Sequence, residues 1–217
     1  MTHLKAMAIC GSPRKEWNTA QALTKALEGA ASLGAETELV HLYDIDYKGC
    51  RSCFACKQIG GESYGRCACQ DGLTDVLRRA EEADVLIIGS PLYFADVTGA
   101  TRAMMERLMF PHFSYDPKNM YNWPKKTHGA FIYTMGGESF EFFKKPMKIS
   151  TELTLASLMA SFETLVVEDT YQFPDYDKYY APMFSSEHKK ERRETQFPRD
   201  LQAAYELGRR LAERALA

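Results

Sequence analysis

After Asp84 the chain reads Val85-Leu86-Ile87-Ile88-Gly89, five consecutive positions without a charge. A strand with one wet face alternates apolar and polar residues, so a run apolar at both parities must be covered from both sides. The segment predicts a central strand of a parallel sheet, and parallel neighbours require crossover connections, usually helices. The rest of the chain supplies them. Strands are predicted over 2–10, 37–42, 84–89, 128–135 and 163–171, and helices over 19–33, 73–83, 99–110, 146–162 and 199–216. Pro198 suits the first turn of the last helix. The expected fold class is α/β, a doubly wound five-stranded parallel sheet in a three-layer sandwich, with strand order 2-1-3-4-5. With 217 residues, 45% of them hydrophobic, the chain is expected to form a single domain over 1–217.

In such a sheet, ligands bind beyond the carboxyl ends of the strands where the order reverses. Three segments fall on that edge: Gly11 to Thr19, Pro91 to Phe94, and Thr134 to Gly137. The first, GSPRKEWNT, follows an apolar run at a glycine turn and opens a helix. Gly11 permits a tight bend, Ser12, Asn18 and Thr19 are short and polar, and Arg14 and Lys15 add positive charge. Asn18 or Thr19 is expected to cap the helix, whose free N–H groups would face an anion. An ordinary capped turn is the simpler reading of this stretch alone. No Gly-Lys-Ser/Thr and no G-x-G-x-x-G follows Gly11, and Glu16 stands where a Cys10-x5-Arg phosphatase loop would need arginine. Cys10 therefore reads as a small buried residue at a strand end.

A net charge of −2 with 26% charged residues offers no basic field for nucleic acid or an anionic membrane, and no stretch reaches the length of a membrane span. A small-molecule partner and a cytoplasmic location are expected, because the segment before the first strand is too short for a signal peptide. The five histidines are scattered, and His112 and His128 read as structural. The charges at 189–193 read as a solvated helix face. Between 44 and 72 regularity is lost and the cysteines gather, Cys50-x2-Cys53-x2-Cys56, then Cys67 and Cys69. The C-x2-C-x2-C opening is that of bacterial ferredoxins, and four thiolates can hold a [4Fe–4S] centre. Here the next cysteine comes only after ten residues, and Cys69 is surplus. Reduced thiols are placed first, an iron–sulfur centre second, and zinc or a redox disulfide third. No residue is assigned as a metal ligand. Aromatic loops at 111–127 and 171–184 suit a lid, an acceptor-pocket wall or an oligomer interface.

GSPRKEWNTA, ADVLIIGSPLYFADVTGATRAMMERL and YTMGGES together resemble the flavodoxin-like NAD(P)H-dependent FMN reductases and the related iron–sulfur flavoproteins, over roughly residues 6–170. The resemblance implies an FMN site. It places the phosphate on Ser12, Arg14, Asn18, Thr19 and the Ala20 amide, sets Pro91, Leu92, Tyr93 and Phe94 beside the ring, and puts Thr134, Met135, Gly136 and Gly137 on its other side. Amides near Gly136 and Gly137 would meet negative charge on the reduced flavin. Members often carry glycine where this chain has Trp17, and the iron–sulfur flavoproteins carry a more compact four-cysteine run. The implied function is electron transfer from NAD(P)H through FMN to a quinone, flavin or other small acceptor. The alternative is a flavodoxin-like or iron–sulfur carrier fed by ferredoxin. Hydride transfer to flavin asks for orientation more than acid–base help, so no catalytic side chain is named. A homodimer or homotetramer completing the site is expected.

Overall fold

The computed structural model describes residues 4–138 and 140–217; Thr2 and His3 of the first predicted strand, and Ser139 of the third motif, lie outside them. Five strands form a parallel sheet: β1 (Lys5–Cys10), β2 (Glu36–His41), β3 (Val85–Tyr93), β5 (His128–Thr134) and β6 (Ser161–Val167). Their order is β2-β1-β3-β5-β6, the expected 2-1-3-4-5 once the two-residue β4 (Asp96–Val97), antiparallel to the end of β3, is set aside. The helices are α1 (Asn18–Ala31), α2 (Thr74–Glu82), α3 (Gly99–Met109), α4 (Phe140–Met147), α5 (Leu153–Leu158), α6 (Ser186–Thr195) and α7 (Phe197–Leu216).

Strand alternation divides the interior into two layers. Met7, Ile9, Leu86, Ile88, Phe131 and Tyr133 face α2, α3 and the α4–α5 region. Ala6, Ala8, Cys10, Val85, Ile87, Ala130 and Ile132 face α1 and α7. Many residues on this second face are small, and the two helices on it touch backbone to backbone. A Cβ built on Gly208 would lie 1.8 Å from the Ala26 carbonyl oxygen, and one on Gly29 would lie 2.0 Å from that of Tyr205.

Besides the strand expected over 163–171, which ends at Val167, two predicted segments differ from what is found. The helix expected over 146–162 begins at Phe140 and passes through a π turn at Lys148–Glu152 before α5. Pro146 sits inside α4. Without an amide it cannot donate to the preceding turn, and the i→i−4 pattern gives way just beyond it. Ser161 and Phe162 belong to β6 instead, as partners of His128 and Gly129. The second difference concerns the stretch from Pro91 to Phe94. It is expected as a loop, but β3 continues through it: Pro91 pairs with Thr134, and Leu92 and Tyr93 fold back onto Val97 and Asp96.

Candidate functional site

Trp17, not Asn18 or Thr19, occupies the N-cap of α1, and its side chain makes no capping bond. Asn18, Thr19 and Ala20 form the buried first turn, which holds no acidic residue. Among the described residues, the backbone amides of these three find no acceptor. Helix ends leave such donors free, and here none of the described residues takes them up. The ordinary-cap reading is therefore overturned.

Two guanidinium groups flank this helix start. Arg14 donates to the Gln172 carbonyl at 2.8 Å and lies 4.8 Å over the Trp17 ring. Arg193, on α6, donates to Asn18 Oδ1 at 3.0 Å and Gln21 Oε1 at 3.2 Å. Among the described residues neither has a carboxylate at ion-pair distance, and burial lowers the pKa of both. Lys15 is instead paired with Asp44 at 2.6 Å. Free amides and unneutralised cations around one helix start make a donor set suited to a phosphate dianion. Ser12 is buried, and its hydroxyl accepts from the Arg14 amide at 3.1 Å. Trp17 turns toward the 171–184 loop, its indole N–H donating to the Tyr171 carbonyl at 3.0 Å, and Asn18 Nδ2 donates to the same oxygen at 2.9 Å. Cys10 is fully buried, which pushes its thiol up to about 11 and keeps it protonated at neutral pH.

The second and third segments are tied to the first. Gly11 N donates to Gly89 O at 2.8 Å, and the Thr98 hydroxyl, which caps α3, donates to Gly11 O at 2.8 Å. The hydroxyls of Thr19 and Thr134 share a 2.7 Å hydrogen bond. Beyond Leu92 the β3–β4 hairpin projects outward, with Tyr93 41% and Phe94 105% exposed. Its turn residues Phe94 and Ala95 have φ of 52° and 63°. Positive φ at both centres is the two-residue hairpin geometry that favours asparagine and glycine. Ala95→Gly is accordingly expected to raise stability by about 1 kcal/mol, read as a higher urea midpoint. Asp96 anchors the hairpin, accepting from Arg102 at 2.6 Å, while Arg102 also donates to the Ser150 carbonyl in the π turn.

In the third segment the carbonyls are taken. Met135 O accepts from Thr170 N, Gly137 O from Asp169 N, and Gly136 O from Lys189 Nζ. The amides of Gly136 and Gly137 meet no acceptor among the described residues. Asp169, buried at φ 56°, receives Lys189, His188 and Arg192. Burial pushes its pKa up, but Lys189 and His188 outweigh burial and hold it below the usual carboxylate range. Glu138, Asp169 and His188 place ligand atoms within 4.8 Å of one another. With two further cations on the same carboxylate, the group is an ion-pair hub, not a metal centre. The charged stretch at 189–193 is thus solvated only in part: Lys190 and Glu191 are exposed, but Lys189 is 2% exposed and bonds the third segment, while Arg193 bonds the first. A helix rich in charge conceals such inward-facing members, and the signal that was available was their spacing, with 189 and 193 one turn apart.

Cys50, Cys53, Cys56, Cys67 and Cys69 line one small cavity with Arg107, Phe110 and Pro111. Arg107 is buried and directs its donors at this region, Nε to Cys67 Sγ at 3.3 Å, Nη1 to Asp71 and the Lys48 carbonyl, and Nη2 to the Cys69 carbonyl. Lys57 reinforces it, donating to the carbonyls of Phe110, Pro111 and Phe113. Thiolates are the right donors for an iron–sulfur centre. As the thiols stand, the space between them is about 20 Å³, room for a water. Cys50 and Cys53 are on its exposed side.

A family model described as NADPH-dependent FMN reductase matches residues 4–141. An iron–sulfur flavoprotein of Methanocaldococcus jannaschii is 36% identical over 104 residues, 48% of this chain and 51% of that one. An iron–sulfur flavoprotein of Archaeoglobus fulgidus is 38% identical over 104 residues, 48% of each chain. The chain spans about half the length of the curated relatives it matches. Among solved structures, an NAD(P)H:quinone oxidoreductase from Methanothermobacter marburgensis is similar with a TM-score of 0.70 at 15% identity, over 97% of this chain and 100% of that one. At that identity the likeness is one of fold. No helix among the described residues is long and apolar enough to cross a membrane.

Proposed function

Because the chain belongs to the NADPH-dependent FMN reductase family, we propose that it is an FMN-dependent oxidoreductase working in electron transfer, a carrier of the flavodoxin-like or iron–sulfur flavoprotein kind that takes its electrons from a ferredoxin-type donor. The observation that carries the reading is the meeting of three bonded segments at the switch point of the sheet, one of them an acid-free helix start with unused amides. The sequence relatives favour the carrier, since those above 30% identity are named iron–sulfur flavoproteins.

Bound FMN supplies reversible one- and two-electron chemistry. On this reading, Ser12, Arg14, Asn18, Thr19 and the amides of the first turn hold its phosphate. Pro91, Leu92, Tyr93 and Phe94 border the ring, and Thr134, Met135, Gly136 and Gly137 flank it. The free amides of Gly136 and Gly137 stabilise negative charge there. The chain acts as one domain, as a homodimer or homotetramer in which a second copy covers the exposed Phe94 hairpin. The cysteines are carried as thiols, and no step is routed through a cluster.

A second reading, transfer from NAD(P)H to a quinone or other small acceptor, rests on the function in the family description. One experiment separates the two. The purified protein is expected to carry one FMN per chain, to form a stable semiquinone under photoreduction, and to be reduced slowly by NADH or NADPH but rapidly by reduced ferredoxin. Rapid bleaching by a nicotinamide selects the second reading, and absence of flavin binding rejects both. An iron assay on an anaerobic preparation decides the state of the thiols.

A further inference from the structure

We propose that Arg193, on a helix beyond the residues matched by the family model, is a phosphate-selecting residue of the flavin site, which makes the chain prefer FMN over unphosphorylated flavin. The inference rests on the FMN reading above and adds a residue from outside the three segments.

Arg193 reaches the first turn of α1 from the side. Its two terminal nitrogens grip Asn18 Oδ1 and Gln21 Oε1, and its planar group lies 4.0 Å over the Phe197 ring. Both acceptors are neutral amide oxygens. A guanidinium is costly to bury without a counter-charge, and none of the described carboxylates stands at ion-pair distance from it. The neighbouring cations of α6 are served otherwise, Lys189 and Arg192 both by Asp169. Arg193 therefore brings an unneutralised charge to the same helix start that leaves three amides without acceptors and holds no acidic residue in its first turn. Its fork also fixes the Asn18 carboxamide, with Oδ1 held on the guanidinium and Nδ2 donating to the Tyr171 carbonyl. A dianion at this place gains from the charge and from the three amides without acceptors.

The test compares dissociation constants for FMN and riboflavin in the full chain. The wild type is expected to bind FMN much more tightly. In Arg193→Gln the FMN dissociation constant should rise about tenfold to a hundredfold, with riboflavin binding unchanged and with less salt dependence of FMN binding. A merely structural role would weaken both ligands alike, and that result, or an unchanged FMN preference, overturns the proposal. If the glutamine variant does not hold riboflavin, Arg193→Lys carries the test: partial loss of the FMN preference supports the assignment, and an unchanged preference overturns it. A wild type that binds neither flavin rejects the FMN reading and this inference with it, whereas a failure confined to the variants rejects the inference alone.

Discussion

Replacing Asp169 by asparagine is expected to lower the stability of the fold by about 3–5 kcal/mol, the cost of leaving a buried charge without its partner. The carboxylate and the Lys189 ammonium are 4% and 3% exposed, and asparagine keeps the shape and tolerates the positive φ. What is lost is the charge that compensates Lys189 and pairs with Arg192, together with an acceptor of His188. Equilibrium urea unfolding measures the effect, and its pH dependence carries a sign. The folded pKa of Asp169 is depressed, so its contribution is fully present above the unfolded value of about 4 and is lost as pH falls through the folded value. The difference between wild type and variant should be largest at neutral pH and shrink in acid. An equal difference at pH 3 and pH 7 would mean that the hub contributes by packing and not by charge.

The second large effect is expected at the crossing of α1 and α7. Alanine at an ordinary helical glycine gains roughly 1 kcal/mol of helix propensity, so Gly208→Ala would stabilise the chain if space allowed. At 1.8 Å from the Ala26 carbonyl oxygen the added methyl cannot be accommodated without moving one helix off the other. A net loss of about 1–3 kcal/mol is expected, and a larger one for Gly208→Val. Because α1 also presents the helix start proposed to hold the flavin phosphate, FMN affinity should fall with stability. A Gly208→Ala variant as stable as the wild type would show that the helices slide apart without cost.

The sheet was readable because its strands carry the signal locally. The uncharged run at 85–89 shows a two-sided strand, and the alternation of Ala130 and Ile132 with Phe131 and Tyr133 repeats it next door. The turns at Gly11 and Gly136 were readable for the same reason, since glycine and short polar residues announce turns whatever surrounds them, whereas the proline at 91 suggested a loop where β3 runs on. What escaped depends on partners distant in the chain. Trp17 reads as a bulky residue where family members often carry glycine until Tyr171 is brought to its indole N–H. Lys189 and Arg193 read as solvent-facing until Asp169 and Asn18 are placed beside them. Pro146 reads as a helix start, and only the bond from Phe140 N to the Glu168 carboxylate shows why the helix begins earlier.

The α1–α7 crossing also bears on how the chain is made. The first helix finds its covering partner in the last, since Gly29 meets the Tyr205 backbone and Gly208 that of Ala26. At ordinary rates of synthesis, some 10–40 s separate the emergence of the two from the ribosome. Throughout that interval the face of α1 around Ala26 and Gly29 stays uncovered on the side that α7 will take. A nascent chain of this protein should therefore engage holding chaperones until α7 has emerged.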